Sequence, residues 1–252
     1  MKIIEKFNEK SKNLAQTPPV TIAFLGDSVT QGCFDLYCAG PNIVQTDDFK
    51  GFLHRSGTFP HARHFCQKLR KIFNMLYPEV PVNIINAGIS GGKAWEGAER
   101  LDRDVLRFSP DLCVVCFGLN DCCGTQEDDF ERYQNAMKEI FAALQNANIE
   151  VIFLTPNMMC TNTSCHIENE AIKGIADAAS QIQLSGKLEQ FLSAAKDIAA
   201  GMDIPVCDCY AKWKLLYECG VNITELLSNR INHPTPEMNW LFAGTLVETM
   251  FH

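Results

Sequence analysis

Five short runs of apolar, β-branched and aromatic residues recur along this chain with helical stretches between them, and that alternation leaves few folds open. The runs are VTIAFLG at 20–26, VNIINAG at 82–88, DLCVVCFG at 111–118, EVIFLTP at 150–156 and IPVCDC at 204–209. A strand that reads as nearly continuous hydrocarbon must be buried on both faces, and strands alternating with helices pair in parallel under helical cover. The expected fold class is α/β, a three-layer α/β/α domain around a five-stranded parallel sheet with right-handed crossovers.

The intervening segments supply the helices. Apolar residues at Phe65, Leu69, Ile72, Phe73 and Leu76 keep the three-and-four spacing of a helix over 60–76. Further helices are expected over 94–108, 127–146, 168–200, 210–218 and 236–251. No repeat, low-complexity tract or Ser/Gly linker divides residues 1–252, so a single domain is expected, with 1–18 as an N-terminal extension. The stretch 31–59 shows no persistent period and holds Gly40, Pro41, Asp47, Asp48, Gly51 and Gly57. Loops of that length are usually functional, which makes it a substrate-side loop.

Charge narrows the partners. Thirty acidic against 22 basic residues give a net charge of −8, with no long basic run, which argues against nucleic acid and against anionic membrane surfaces. The opening MKIIEKFNEKSKNLAQ lacks the apolar stretch of a signal peptide, and no window approaches the roughly 20 apolar residues of a membrane span. A cytoplasmic location is the expectation. Twelve cysteines scattered through apolar segments fit buried, reduced side chains better than a disulfide framework. Cys113 and Cys116 form a CxxC inside an expected strand, where residues three apart point to opposite faces, and Cys160, Cys165 and His166 make only a weak cluster. No metal site is expected.

In an open parallel sheet the ligand crevice lies beyond the carboxyl ends of the strands. The segments at those ends carry the polar residues: Gly26, Asp27, Ser28 after the first strand; Asn86 through Gly91 and Gly92 after the second; Gly118, Asn120 and Asp121 after the third. Asn232, His233 and Pro234 precede the last expected helix. These four blocks, GDS, NxxxxG, GxND and a C-terminal histidine, resemble those of the SGNH (GDSL) hydrolase family in content and order along the whole chain. The resemblance implies an esterase or acyl hydrolase on a flavodoxin-like sheet, with Ser28 as nucleophile, Gly91 and Asn120 as oxyanion-hole donors and His233 as general base. The chain departs from the family pattern at one place, since the aspartate usually found three residues before the histidine is Arg230 here. Asn229 and Asn232, or a backbone carbonyl nearby, are the candidate orienters of the imidazole.

Physical chemistry supports the same assignment. A serine hydroxyl needs an imidazole within hydrogen-bond reach to accept its proton, and the tetrahedral oxyanion needs fixed donors. The backbone N–H groups of Ser28 and Gly91 and the amide of Asn120 are suitable donors, and a neutral asparagine orienter stabilises an imidazolium less well than a carboxylate.

Each residue also has a plainer reading. Ser28 is a good helix cap, Gly91 a common turn residue and Asn120 with Asp121 a common Asx turn. Asp27 and Asp121 are read as structural, tying down backbone amides. His61 and His64 are expected at the surface, Met158, Met159 and Trp240 in the core or pocket wall. Asp35, Tyr37, His54, Arg55 and Trp95 are candidate substrate-binding residues.

The sequence therefore predicts a serine esterase acting on small soluble esters, acetylated carbohydrates among them, with no cofactor. The alternatives are an acyltransferase, a weakly active relative used for ligand binding, and a flavodoxin-like phosphate or flavin binder exploiting the turn GDSVTQG. Oligomeric state is left open.

Overall fold

The computed structural model describes residues 1–33 and 64–252. Its sheet is all-parallel and consists of β1 (Val20–Gly26), β2 (Val82–Gly88), β3 (Leu112–Cys116), β4 (Glu150–Leu154) and β5 (Val206–Cys207), in the spatial order β2-β1-β3-β4-β5. Gly26 pairs with Gly88 on one side and Cys116 on the other, so the first three strands end at one level. This common rim is where the polar blocks emerge.

Ten helices flank the sheet among the described residues: α1 (Lys2–Lys12), α2 (Ser28–Gln31), α3 (Phe65–Leu76), α4 (Ala94–Glu99), α5 (Leu101–Asp104), α6 (Asp129–Asn146), α7 (Glu170–Leu184), α8 (Lys187–Gly201), α9 (Cys209–Glu218) and α10 (Asn239–Phe251). One layer packs α1, α3, α9 and α10 together; the other packs α4, α6, α7 and α8. The three-layer α/β/α fold expected from the sequence is the fold observed. Phe24 meets Phe65 edge to face and Phe65 stacks on Phe242 on one side of the sheet, while Phe141 meets Phe153 on the other.

Several boundaries differ from the sequence-based expectation, each for a local reason. The segment 94–108 breaks into α4, α5 and a 3-10 turn at Leu106–Phe108, because Arg100 leaves helical geometry (φ −104°, ψ 3°). The segment 168–200 breaks at Ser185 and Gly186, where Gly186 takes φ 79°. β5 is only two residues long because Asp208 already caps α9, its carboxylate accepting from the Ala211 N–H at 3.1 Å. Residues 60–63 lie outside the described residues.

Residues 1–18, expected as an extension, contain α1. Its Lys and Glu content hides a buried stripe of Ile3 and Phe7, with Phe7 stacked on Phe73 at 4.3 Å. The Glu150 carboxylate accepts from the Lys2 and Ile3 N–H groups at 3.0 and 2.8 Å, satisfying donors that a helix start leaves open. Lys6 pairs with Asp111. No helix among the described residues is long and apolar enough to cross a membrane.

Candidate active site

The turn out of β1 is held by its own side chains. Asp27 Oδ1 accepts the Val29 N–H at 2.9 Å, which starts the single turn of α2 and leaves Ser28 4% exposed at its first position. α2 lies so close across the end of β2 that a Cβ on Gly88 would sit 2.2 Å from the Gln31 nitrogen, so only glycine fits. His64, expected at the surface, is 2% exposed; its Nε2 donates to the Val29 carbonyl at 2.7 Å and its ring packs against Gly32. It closes α2 from behind.

The second and third blocks approach from β2 and β3. Gly91 takes φ 75° in the turn after β2, and, its chain neighbours apart, nothing among the described residues lies within 4 Å of the space a Cβ would occupy. Its backbone is open to the crevice. Asn120 Nδ2 donates to the Gly92 carbonyl at 3.1 Å and reaches Asp27 Oδ2 over a longer 3.4 Å. The Asp121 carboxylate accepts from the Ala94 and Gly118 N–H groups at 2.8 and 2.9 Å. Asp27 and Asp121 thus hold backbone amides, as the sequence predicts. Burial pushes Asp27 up to about 7 and Asp121 up to about 6; the Asp121 charge also raises Asp27, against the opposing hydrogen bond from Val29.

Sequence reasoning missed Arg100. It is 8% exposed, and its guanidinium donates to the carbonyls of Ala87 at 2.6 Å and Gly26 at 2.9 Å while pairing with Asp104 at 3.0 Å. It pins the ends of β1 and β2 together beneath the first two blocks. An arginine amid the polar positions of an amphipathic segment gives no sequence signal for this.

His233 arrives on a loop folded by Asn229. The Asn229 Oδ1 accepts three backbone N–H groups, from Ile231, Asn232 and His233, at 3.1, 2.9 and 2.9 Å. The Ser228 N–H donates to the His233 carbonyl at 2.7 Å, and Asn157 Nδ2 donates to the Asn232 carbonyl at 2.8 Å. So placed, His233 Nε2 lies 3.0 Å from Ser28 Oγ. The ring is 5% exposed, and burial lowers its pKa to about 4.

The expectation that Asn229 or Asn232 orients the ring needs correction. Asn229 Oδ1 is taken up by backbone, and Asn232 Oδ1 accepts from Asn229 Nδ2 at 2.9 Å. Among the described residues His233 Nδ1 has no hydrogen-bond partner. Arg230 adopts φ 59° and sends its guanidinium to Glu225, at 2.7 Å from the carbonyl oxygen and 3.0 Å from the carboxylate.

A crevice of about 470 Å³ opens beside the Ser28–His233 pair. Ser90, Gly91, Asn120, Cys123, Asn229 and Asn232 are among its polar and small lining residues, and Met159, Ile231 and one face of α7 supply hydrocarbon. A larger depression of about 910 Å³ lies under α1 at the opposite, amino-terminal edge of the sheet and has no histidine among its described lining residues. Trp95 is not in the crevice; its ring is flanked on the α4–α6 surface by Arg132 at 4.1 Å and Lys93 at 4.7 Å. Trp240, expected in a core or pocket wall, is 47% exposed under Lys68, whereas Met158 and Met159 are buried. Asp35, Tyr37, His54, Arg55 and His61 lie outside the described residues.

Cys113 and Cys116 are buried in β3, and Cys160 is buried while Cys165 is exposed. Among the described residues no three His, Cys, Asp or Glu side chains are grouped to hold a metal ion.

A parallel sheet of this strand order, with the ends of β1, β2 and β3 converging on one polar crevice, defines a carboxylic ester hydrolase of the SGNH type. The chain belongs to the GDSL-like lipase/acylhydrolase family, which it matches over residues 24–241. Among solved structures it is similar to Axe2, an acetylxylan esterase from Geobacillus stearothermophilus, at 16% identity and TM-score 0.65, covering 92% of this chain and 94% of that one. It is also similar to LAE5, an alpha/beta hydrolase from the metagenome of Lake Arreo, Spain, at 18% identity and TM-score 0.65, covering 92% and 95%. The acetyl xylan esterase AlAXEase matches at 18% identity and TM-score 0.64, covering 91% and 98%. At these identities the likeness is one of fold. No curated protein matches the sequence.

Proposed function

We propose that this ester hydrolase works through an acyl-enzyme on Ser28. Ser28 Oγ attacks the ester carbonyl as His233 Nε2 takes its proton; the imidazolium then protonates the leaving alcohol, and a water activated by the same nitrogen releases the acid. The 3.0 Å separation of Oγ and Nε2 beside an open crevice carries this reading. Burial, which lowers the ring's pKa to about 4, keeps the imidazole in the neutral form that accepts a proton and also makes it a weaker base than an ordinary histidine.

The oxyanion would be met by the backbone N–H groups of Ser28 and Gly91 and by Asn120. The long 3.4 Å contact to Asp27 leaves one Asn120 amide hydrogen weakly held and available to the developing charge. With Nε2 accepting from serine, the proton of the ring sits on Nδ1, where among the described residues nothing accepts it. Such a Ser–His dyad stabilises the imidazolium less than a triad does, so modest turnover is expected. The expected substrates are small soluble esters. The acetyl xylan esterases of like fold favour acetylated carbohydrates, and the walls of the crevice favour a different class, argued below. An alcohol in place of the final water would make the same site an acyltransferase.

Hydrolysis of p-nitrophenyl acetate by wild type, Ser28→Ala and His233→Ala tests the reading. Both variants should lose at least ~10³-fold in kcat, as loss of a nucleophile or its base does. A fluorophosphonate should label Ser28, seen as one mass increment on the intact protein. Equal rates in all three proteins, or no label, would remove it and leave a ligand-binding relative as the better account.

A further inference from the structure

We propose, building on the esterase reading of this crevice, that its substrates carry an unbranched aliphatic chain of medium length, laid along α7, and that Gly174 and Ala178 set the length admitted. The α7 residues lining the crevice are Ala171, Gly174, Ile175, Ala178, Ala179 and Ile182, at the three-and-four spacing of a single helix face. The charged side chains of α7 are absent from that lining. Lys173 pairs with Glu170 instead, and Asp177 accepts from Thr163.

Met159 and Ile231, both buried, line the same crevice and add to its hydrocarbon surface. Among the described residues the polar lining, with Ser28, Asn120, Cys123 and His233 in it, comes from segments other than α7. A sugar ring seated here would leave its hydroxyls without partners along α7, a loss that an alkyl chain does not suffer. The crevice volume of about 470 Å³ falls within the range of small-molecule sites.

A run of small residues is not a binding site by its composition alone. Here the same cavity contains the Ser28–His233 pair, and the buried imidazole is aimed at the hydroxyl that would hold the ester carbonyl at its end. Gly174 adds to the case. It lies inside α7, where glycine is less favourable than alanine by about 1 kcal/mol, and apart from its chain neighbours and the helix's own backbone nothing among the described residues lies within 4 Å of the place its Cβ would take. Packing among the described residues therefore does not demand it, and a chain would find room there. From Gly174 to Ile182 the helix advances ~12 Å, enough to lie beside an octanoyl chain.

Two ester series separate the sides of the carbonyl: p-nitrophenyl acetate, butanoate, hexanoate and octanoate, and the acetate esters of ethanol, butanol, hexanol and octanol. Each methylene moved from water to hydrocarbon is worth up to about fourfold, so kcat/KM should rise at least ~10-fold from the shortest to a medium chain in one series. That series identifies whether acyl or alcohol portion lies on α7. Gly174→Trp should lower the ratio of octyl to shortest-chain kcat/KM by at least ~10-fold, with Gly174→Ala between it and wild type; circular dichroism checks that both fold.

Binding of octanoate and octanol to Ser28→Ala by calorimetry gives a readout independent of turnover. One of them should bind, acetate should not, and Gly174→Trp in the same background should abolish the heat. Flat profiles in both series, or a length preference that Gly174→Trp leaves unmoved, overturn the proposal even if Ser28 is labelled and hydrolysis depends on it. Ser28-independent hydrolysis removes the catalytic reading instead, and the binding measurement then decides whether α7 holds a chain.

Discussion

Asn229 holds His233 by its backbone and not by its ring. The Asn229 Oδ1 accepts the His233 N–H at 2.9 Å, together with those of Ile231 and Asn232, and Asn229 is itself 1% exposed. The imidazole is therefore aimed at Ser28 by the fold of its loop, while its Nδ1 lacks a partner among the described residues. This differs from an arrangement in which a carboxylate grips the ring, and it makes loop geometry the determinant of how His233 and Ser28 align.

Asn229→Ala should orphan three buried donors, lowering stability by roughly 2–4 kcal/mol and kcat by ~10²-fold as the ring drifts. Thermal denaturation and steady-state kinetics measure the two effects. Asn229→Asp keeps the accepting oxygen and should recover most of the kcat; no recovery would show that the amide nitrogen bonded to Asn232 matters more.

Asn120→Ala should reduce kcat by ~10²- to 10³-fold with little change in KM, because the lost donor acts on charge that develops only in the transition state. A rise in KM with kcat intact would place Asn120 in ground-state binding and not in the oxyanion hole.

The pH dependence of kcat/KM should show an acid limb near 4 and not near 6.5. The base must be neutral to act, and burial lowers the His233 pKa to about 4, so activity persists through pH 5 and is lost only as pH falls through that value. A limb centred near 6.5 would mean that the ring is more hydrated than its burial in this structure implies.

Asp27 governs a separate dependence of stability. Its carboxyl is raised from 3.8 to about 7, chiefly by burial, so between those values the folded protein holds a proton that the unfolded chain releases. More protons bound in the folded state means that this contribution weakens as pH rises from about 4 to 7. Asp121, raised to about 6, acts in the same sense, whereas His233, lowered from 6.5 to about 4, acts in the opposite one. The Tm of Asp27→Asn relative to wild type should therefore climb between pH 5 and pH 8. A difference that stays constant over that span would show that Asp27 is ionised throughout.

Arg100→Met should remove the guanidinium donor from the Ala87 and Gly26 carbonyls, the latter keeping the Ile89 N–H, and lower stability by about 1–3 kcal/mol. Denaturant titration tests this. A shift under about 0.5 kcal/mol would mean that water replaces the guanidinium at the strand ends.

Residue order alone determined the sheet, because buried parallel strands such as 20–26 and 82–88 cannot disguise their unbroken hydrocarbon, and the turns that follow them carry polar residues in fixed sequence. It also determined the four blocks of the site, since each is a local pattern. It did not reveal α1, whose buried Ile3 and Phe7 are diluted by charged neighbours, or the breaks at Arg100 and Gly186. Tertiary structure alone decided that Asn229 would clamp a loop, that His64 would close α2 from behind, that Arg100 would tie two strand ends, and that an apolar face of α7 would border Ser28. Those contacts join residues far apart in the chain, and their energies come from desolvated hydrogen bonds and packed surface, which exist only once distant segments have met.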